Sequence, residues 1–77
     1  MGIEIGIFLS FSATEFQVDV TTIQEETQFR QLDGWSSLNA LIFISNIHDK
    51  FNVLISSSDL ATLTTFGDIF QLIKDRV

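Results

Sequence analysis

An all-α fold is what the sequence predicts, and three stretches carry that reading. The first is the nearly unbroken apolar run at residues 38–47, entered through a turn signal at Asp33-Gly34. Leu38, Leu41, Ile44 or Ser45, Ile47 and Phe51 follow the three-and-four spacing of a buried face, which predicts a helix from residue 37 to 50 or 51. Ala40, Ile42 and Phe43 make that helix apolar over most of its circumference. The second stretch is Thr65 with Asp68 three residues on, a capping-box pattern, after which Ile69, Leu72, Ile73 and Arg76 trace one helix face. The third is Ser56-Ser57-Ser58 leading into a short capped helix at about residues 59–63, broken by Thr64-Thr65.

The ends of these helices carry their own signals. Asn52 tolerates the left-handed conformation that terminates helices. Asp68 early and Lys74 and Arg76 late complement the helix dipole. Residues 17–36 read as a long connection rich in Thr, Gln, Asp and Glu, pinned by Val18, Val20, Ile23, Phe29 and Leu32. At the N-terminus two patterns compete. Ile3, Ile5, Ile7, Leu9 and Phe11 alternate as in a strand, and Gly6 and the branched isoleucines push the same way, while Ile3, Ile7, Phe8 and Phe11 also fit a helical stripe.

The 77 residues make one domain, 1–77, without repeat, low-complexity linker or proline. No cysteine is present, which excludes a disulfide framework and a thiolate metal site, so any thiol chemistry has to arrive on an attached group. Ten acidic residues against four basic ones give a net charge of −6 and a pI of about 4.2. Nucleic acid is therefore excluded as a partner, and an anionic membrane is a poor one. The apolar opening carries Glu4, has no basic leader and is too short to insert into a bilayer, so the expected location is cytoplasmic. Mean hydropathy is +0.33, high for a small acidic chain, and predicts an exposed apolar patch.

One serine is presented in a chemically distinct place. Ser36 is a natural N-cap for the second helix, with Trp35 positioned to fold over Ala40 as a hydrophobic staple. Ser37 then falls in the first turn, where unpaired N–H groups and the positive end of the helix dipole favour an anionic group esterified to its hydroxyl.

From about residue 27 to 73 the sequence resembles the acyl carrier protein family. The resemblance consists of Phe29-Arg30-Gln31-Leu32-Asp33-Gly34-Trp35, Ser37-Leu38, Phe51, Asp59-Leu60, and the run from Thr65-Phe66-Gly67-Asp68 to Ile73. It implies an acyl-carrier-like four-helix bundle with a short third helix and a long loop between helices one and two, so residues 3–15 are expected as the first helix. It also implies a 4'-phosphopantetheine arm on Ser37 carrying acyl groups as thioesters, in fatty-acid-like or specialised biosynthesis. The chain would then be a monomeric carrier, not an enzyme, whose partners are a phosphopantetheinyl transferase and acyl-transferring or acyl-modifying enzymes. The family's attachment motif is Asp-Ser-Leu, and here Ser36 occupies the aspartate's position. That departure keeps a rival open, an unmodified interaction module with the carrier fold, alongside an aminoacyl or peptidyl carrier.

In typical family members the second helix displays carboxylates to partner enzymes. The matching positions here read Asn39, Ile42, His48, Asp49 and Lys50, so Asp49 alone keeps the charge, and a mostly apolar docking face of Leu38, Ile42 and Asp49 is expected. Cargo is expected between helices two and three, against Phe43, Ile47, Leu60 and Leu63. Other chemistry finds no footing. Ser37 and His48 lie eleven residues apart, about 16 Å along one helix, too far for a serine–base pair. One histidine and scattered carboxylates give no metal-ligand spacing, Glu25, Glu26 and Asp33 read as solvated loop charge, and the eight phenylalanines read as core.

Overall fold

A computed structural model describes residues 3–77, and within them four α-helices follow one another with no strand: α1 (Ile5–Glu15), α2 (Ser37–Phe51), α3 (Ser57–Ala61) and α4 (Phe66–Arg76). The N-terminal ambiguity resolves as helix because of one ring. Phe8 is completely buried, whereas Ile7 is 49% exposed; an alternating strand would have turned Ile7 inward and Phe8 out. Ser12 and Ala13 complete the buried stripe of α1. The helix ends at Gln17, whose φ of 56° is left-handed. There the Gln17 N–H donates to the Thr14 carbonyl and the Val18 N–H to the Ala13 carbonyl, the paired bonds of a Schellman termination normally built on glycine.

Phe8 gathers the core. Its ring lies 6.3 Å from Phe43, 6.1 Å from Phe51, 6.5 Å from Phe66 and 5.9 Å from Phe70, centroid to centroid, so one side chain of α1 touches both α2 and α4. All eight phenylalanines are buried or half-buried, as expected of core residues. The buried stripe of α2 departs from the expected one. Phe43 and Ile47 are buried, but Leu38 is 67% and Leu41 57% exposed. An apolar surface that runs round the whole helix offers two stripes of equal periodicity, and the aromatic partners of Phe43 decide which turns inward.

The long loop contains two single 3₁₀ turns, Val20–Thr22 and Phe29–Gln31. Ile23 and Phe29 are buried anchors and Val18 and Leu32 half-buried ones, but Val20 is exposed. The Asp19 carboxylate accepts from the Thr21 N–H at 2.9 Å, fixing a turn that points Val20 outward. Beyond it the loop is sewn to the start of α4. The Phe66 N–H donates to the Thr27 carbonyl at 3.1 Å, the Gly67 N–H to the Glu25 carbonyl at 2.9 Å, and the Phe29 N–H to the Thr64 carbonyl at 3.3 Å. A helix start leaves its first N–H groups without intrahelical partners, and here the loop backbone supplies two of them. Gly67 makes this possible, since a Cβ there would stand 3.0 Å from the Glu25 carbonyl oxygen.

The expected capping box of α4 is present: the Asp68 N–H donates to Thr65 Oγ1 at 3.1 Å and the Thr65 N–H to the Asp68 carboxylate at 3.0 Å. α3 begins two residues earlier than expected. Of the three serines, Ser56 is the one with a carboxylate three residues on, and it forms the box with Asp59 at 2.9 and 3.1 Å.

Phe8→Ala removes the ring shared by three helices and is expected to cost about 3–5 kcal/mol, read as a lowered urea midpoint. A loss below about 1 kcal/mol would show that Phe8 is not the centre of the core.

Candidate functional site

Ser36 has extended backbone and its Oγ accepts from the Asn39 N–H at 3.1 Å, capping α2 as expected. The preceding turn is held by the Asn39 side-chain amide, which donates to the Gly34 carbonyl at 2.6 Å, and by the Trp35 N–H, which donates to the Leu32 carbonyl at 3.0 Å. Ser37 is thus the first residue of α2, exposed, at the positive end of a 15-residue helix with no carboxylate in its first turn. Neither local charge nor burial opposes an anion on its hydroxyl.

Beside Ser37 a cleft of about 390 Å³ opens between α2 and α3, bordered by Ala40 and Leu41 of α2, Leu60 of α3, and Trp35 and Arg30 of the loop. The surface expected to meet cargo is rearranged. Phe43 and Ile47 point into the core, Leu63 is half-buried away from the cleft lining, and only Leu60 of that set borders it. Trp35 reaches from the helix start into the core. Its ring packs 4.8 Å from Phe29, 5.4 Å from Phe16 and 6.5 Å from Phe43, so the site is fastened directly to the aromatic core while one side of Trp35 borders the cleft.

The far wall, α3, has five residues, too few to persist alone. Two arginines hold it. Arg30 donates from Nη1 to the Leu63 carbonyl at 2.6 Å and from Nη2 to the Leu60 carbonyl. Arg76 grips the Asp59 carboxylate with both guanidinium nitrogens, at 2.8 and 3.2 Å, and the Leu54 carbonyl at 3.0 Å. The Arg76 guanidinium, followed by the Ser56 N–H, holds the Asp59 carboxyl well below the usual carboxylate range, and Asp59 in turn raises Arg76. In the sequence neither arginine shows a part in holding α3, because the partners of Arg76 lie 17 and 22 residues away and those of Arg30 lie 30 and 33 away.

Leu38, Leu41 and Ile42 form an exposed apolar strip adjoining Ser37, and Asp49 is exposed further along the same helix. A second cleft, of about 440 Å³, is lined by Ile7, Phe11 and Lys50 among others and shares no residue with the first. Among the described residues no helix is long and apolar enough to cross a membrane.

Four helices, a long loop sewn to the last of them and an exposed serine opening the second define a carrier domain. Residues 11–73 match the family model described as the phosphopantetheine attachment site, and the chain belongs to that family, which includes the acyl carrier proteins. It is 33% identical over 64 residues to the acyl carrier protein of Onion yellows phytoplasma, covering 82% of this chain and 84% of that one. It is 31% identical over 67 residues to that of Chlamydia caviae, covering 87% of each, and 30% identical over 59 residues to that of an Exiguobacterium species, covering 77% and 75%. Proteins of this family are carriers, not enzymes, and their prosthetic group is 4'-phosphopantetheine. The residues at the start of α2 fit that group: an exposed hydroxyl, a helix end that favours phosphate, and an adjoining cleft.

A depressed carboxylate contributes stability above its unfolded pKa and loses it as pH falls through the folded one. Asp59→Asn is therefore expected to destabilise fully at pH 7, with the deficit shrinking only once pH drops below about 3.9. Urea melts of both proteins from pH 7 to 2 check this; a constant deficit across the series would remove the charge from the α3 latch.

Proposed function

We propose that residues 1–77 form one carrier domain that bears acyl or related groups as thioesters on phosphopantetheine esterified to Ser37, in fatty-acid-like or specialised biosynthesis. The observation that carries the reading is the exposure of Ser37 as the first residue of α2, beside a cleft, inside the segment that matches the attachment-site family. A phosphopantetheinyl transferase would direct the Ser37 Oγ onto the pantetheine-side phosphorus of coenzyme A, breaking the pyrophosphate P–O bond so that adenosine 3',5'-bisphosphate leaves and the hydroxyl proton passes to a base of the transferase, a phosphoryl transfer in which this chain only positions the nucleophile. The arm supplies a terminal thiol, which a chain without cysteine does not have. Ser36 keeps the helix start formed, Trp35 and Asn39 fix the turn that presents Ser37, and the cleft gives the arm an apolar side to lie against.

We assign modification to Ser37 and not to Ser36; in support, Ser36 Oγ is engaged as the cap and Leu38 follows Ser37 as in the family motif. After incubation with a broad-specificity transferase and coenzyme A, intact mass is expected to show the arm on wild-type and on Ser36→Ala protein but not on Ser37→Ala. No mass increase on the wild type would favour the unmodified interaction module, for which Ser36 in place of the usual aspartate is the motive.

Docking of the transferase and of acyl-handling enzymes is assigned to Leu38, Ile42 and Asp49 on the exposed face of α2. With one carboxylate in that set, long-range steering is weak, and the gain comes from apolar area removed from water, roughly 25 cal/mol per Å² before the costs of association. Affinity for the transferase is expected to change less than about threefold as the screening length contracts from about 10 to 3 Å between 0.1 and 1 M salt, and to fall on Ile42→Glu. A steep loss with salt, or tighter binding by the glutamate variant, would return recognition to charge.

A further inference from the structure

Of the four lysine and arginine side chains, Arg30 is the one that borders the cleft beside Ser37. Arg76 is bound to Asp59, Lys74 lies over the Phe70 ring at 5.7 Å, and Lys50 borders the second cleft. Arg30 borders the cleft that holds Ser37, and among the described residues no carboxylate pairs with it. Its guanidinium rests on the Phe29 ring, 4.7 Å from the centroid, while two N–H groups are taken by the Leu60 and Leu63 carbonyls.

A guanidinium has five N–H donors in a rigid fork, so about three are left over. The bonds to the two carbonyls restrict the guanidinium beside the Phe29 ring, so the remaining donors are partly positioned before any ligand arrives. The net charge of −6 gives the chain no general attraction for anions, so only local donors can retain one here. The start of α2 and Arg30 are those donors.

We propose that Arg30 is an oxyanion-binding residue of the Ser37 cleft, donating to a charged oxygen borne on the arm. This rests on attachment at Ser37. Two groups on a loaded arm have the required chemistry, the phosphodiester at the serine and the carboxylate of a dicarboxylic cargo. A purely structural Arg30 would serve the unmodified and the loaded chain equally, since its bonds to Leu60 and Leu63 need no arm.

The test loads wild type, Arg30→Gln and Arg30→Lys from coenzyme A and from its butyryl and succinyl thioesters, with intact mass reporting the loading. Thermal midpoints of unmodified and loaded forms are then compared, together with the ³¹P resonance of the phosphodiester. A loaded wild type is expected to melt about 2–4 °C above the unmodified chain. Arg30→Gln is expected to abolish that gain, and Arg30→Lys, which keeps the charge without the fork, to lose at least half of it. A gain in all loaded forms, with a ³¹P shift on Arg30→Gln, assigns the phosphodiester; a gain confined to the succinyl form assigns the carboxylate. Equal gains in wild type and either variant, or no gain in any loaded wild-type form, overturn the proposal while attachment stands. Absence of the mass increase overturns attachment and this assignment together.

Discussion

The Phe8 ring is the contact on which the rest of the molecule depends. A chain of 77 residues without cysteine has to be held by its core alone, and domains of this size bury little more than the minimum needed to fold. Aromatic rings concentrate that burial, each removing a large area from water with only two side-chain torsions to order. Phe8 joins α1 to α2 and α4 at once, and Phe43 passes the contact on to Phe16 and Trp35. The core therefore reaches the turn that presents Ser37.

The long loop is as much a part of this framework as the helices. It makes two 3₁₀ turns, and its backbone carbonyls at Glu25 and Thr27 accept from the N–H groups at the start of α4. The same stretch delivers Phe29 to the core, Trp35 to the edge of the cleft and Arg30 to the carbonyls of Leu60 in α3 and Leu63 just beyond it. Sewing the loop to α4 is what lets one segment serve all three purposes.

The division between rigid and light elements matches the work of a carrier. α2 presents the serine from a full-length helix capped at both ends, by Ser36 and by Asn52 in left-handed conformation. α3 opposes it as a five-residue helix anchored by Leu60 and by two guanidinium groups on its periphery. The Arg76–Asp59 pair is exposed, and such pairs are individually weak and sensitive to salt and acid, yet a helix of five residues is too short to hold without tethers of this kind. The exposed strip of Leu38, Leu41 and Ile42 lies on the firm side, where a docking partner would meet a fixed surface.

What the sequence determined by itself was local. The caps at Ser36, Asn52 and Thr65 were legible because hydrogen bonds over three or four residues, and a tolerance for positive φ, belong to residue types at fixed spacing. The span of α2 and the place of Ser37 in its first turn were legible for the same reason. The tertiary structure decided whatever depended on a partner distant in the chain. Alternation at residues 3–11 favoured a strand until Phe8 found rings on two other helices, and α2 offered two equivalent apolar stripes until Phe43 chose the inner one. Gln17 ends α1 in a conformation its type does not announce. The cleft beside Ser37 was expected against Phe43, Ile47, Leu60 and Leu63; Leu60 alone of these borders it, joined by Ala40, Leu41, Trp35 and Arg30, because Phe43 and Ile47 were drawn into the core and the other face of α2 was left to line the surface.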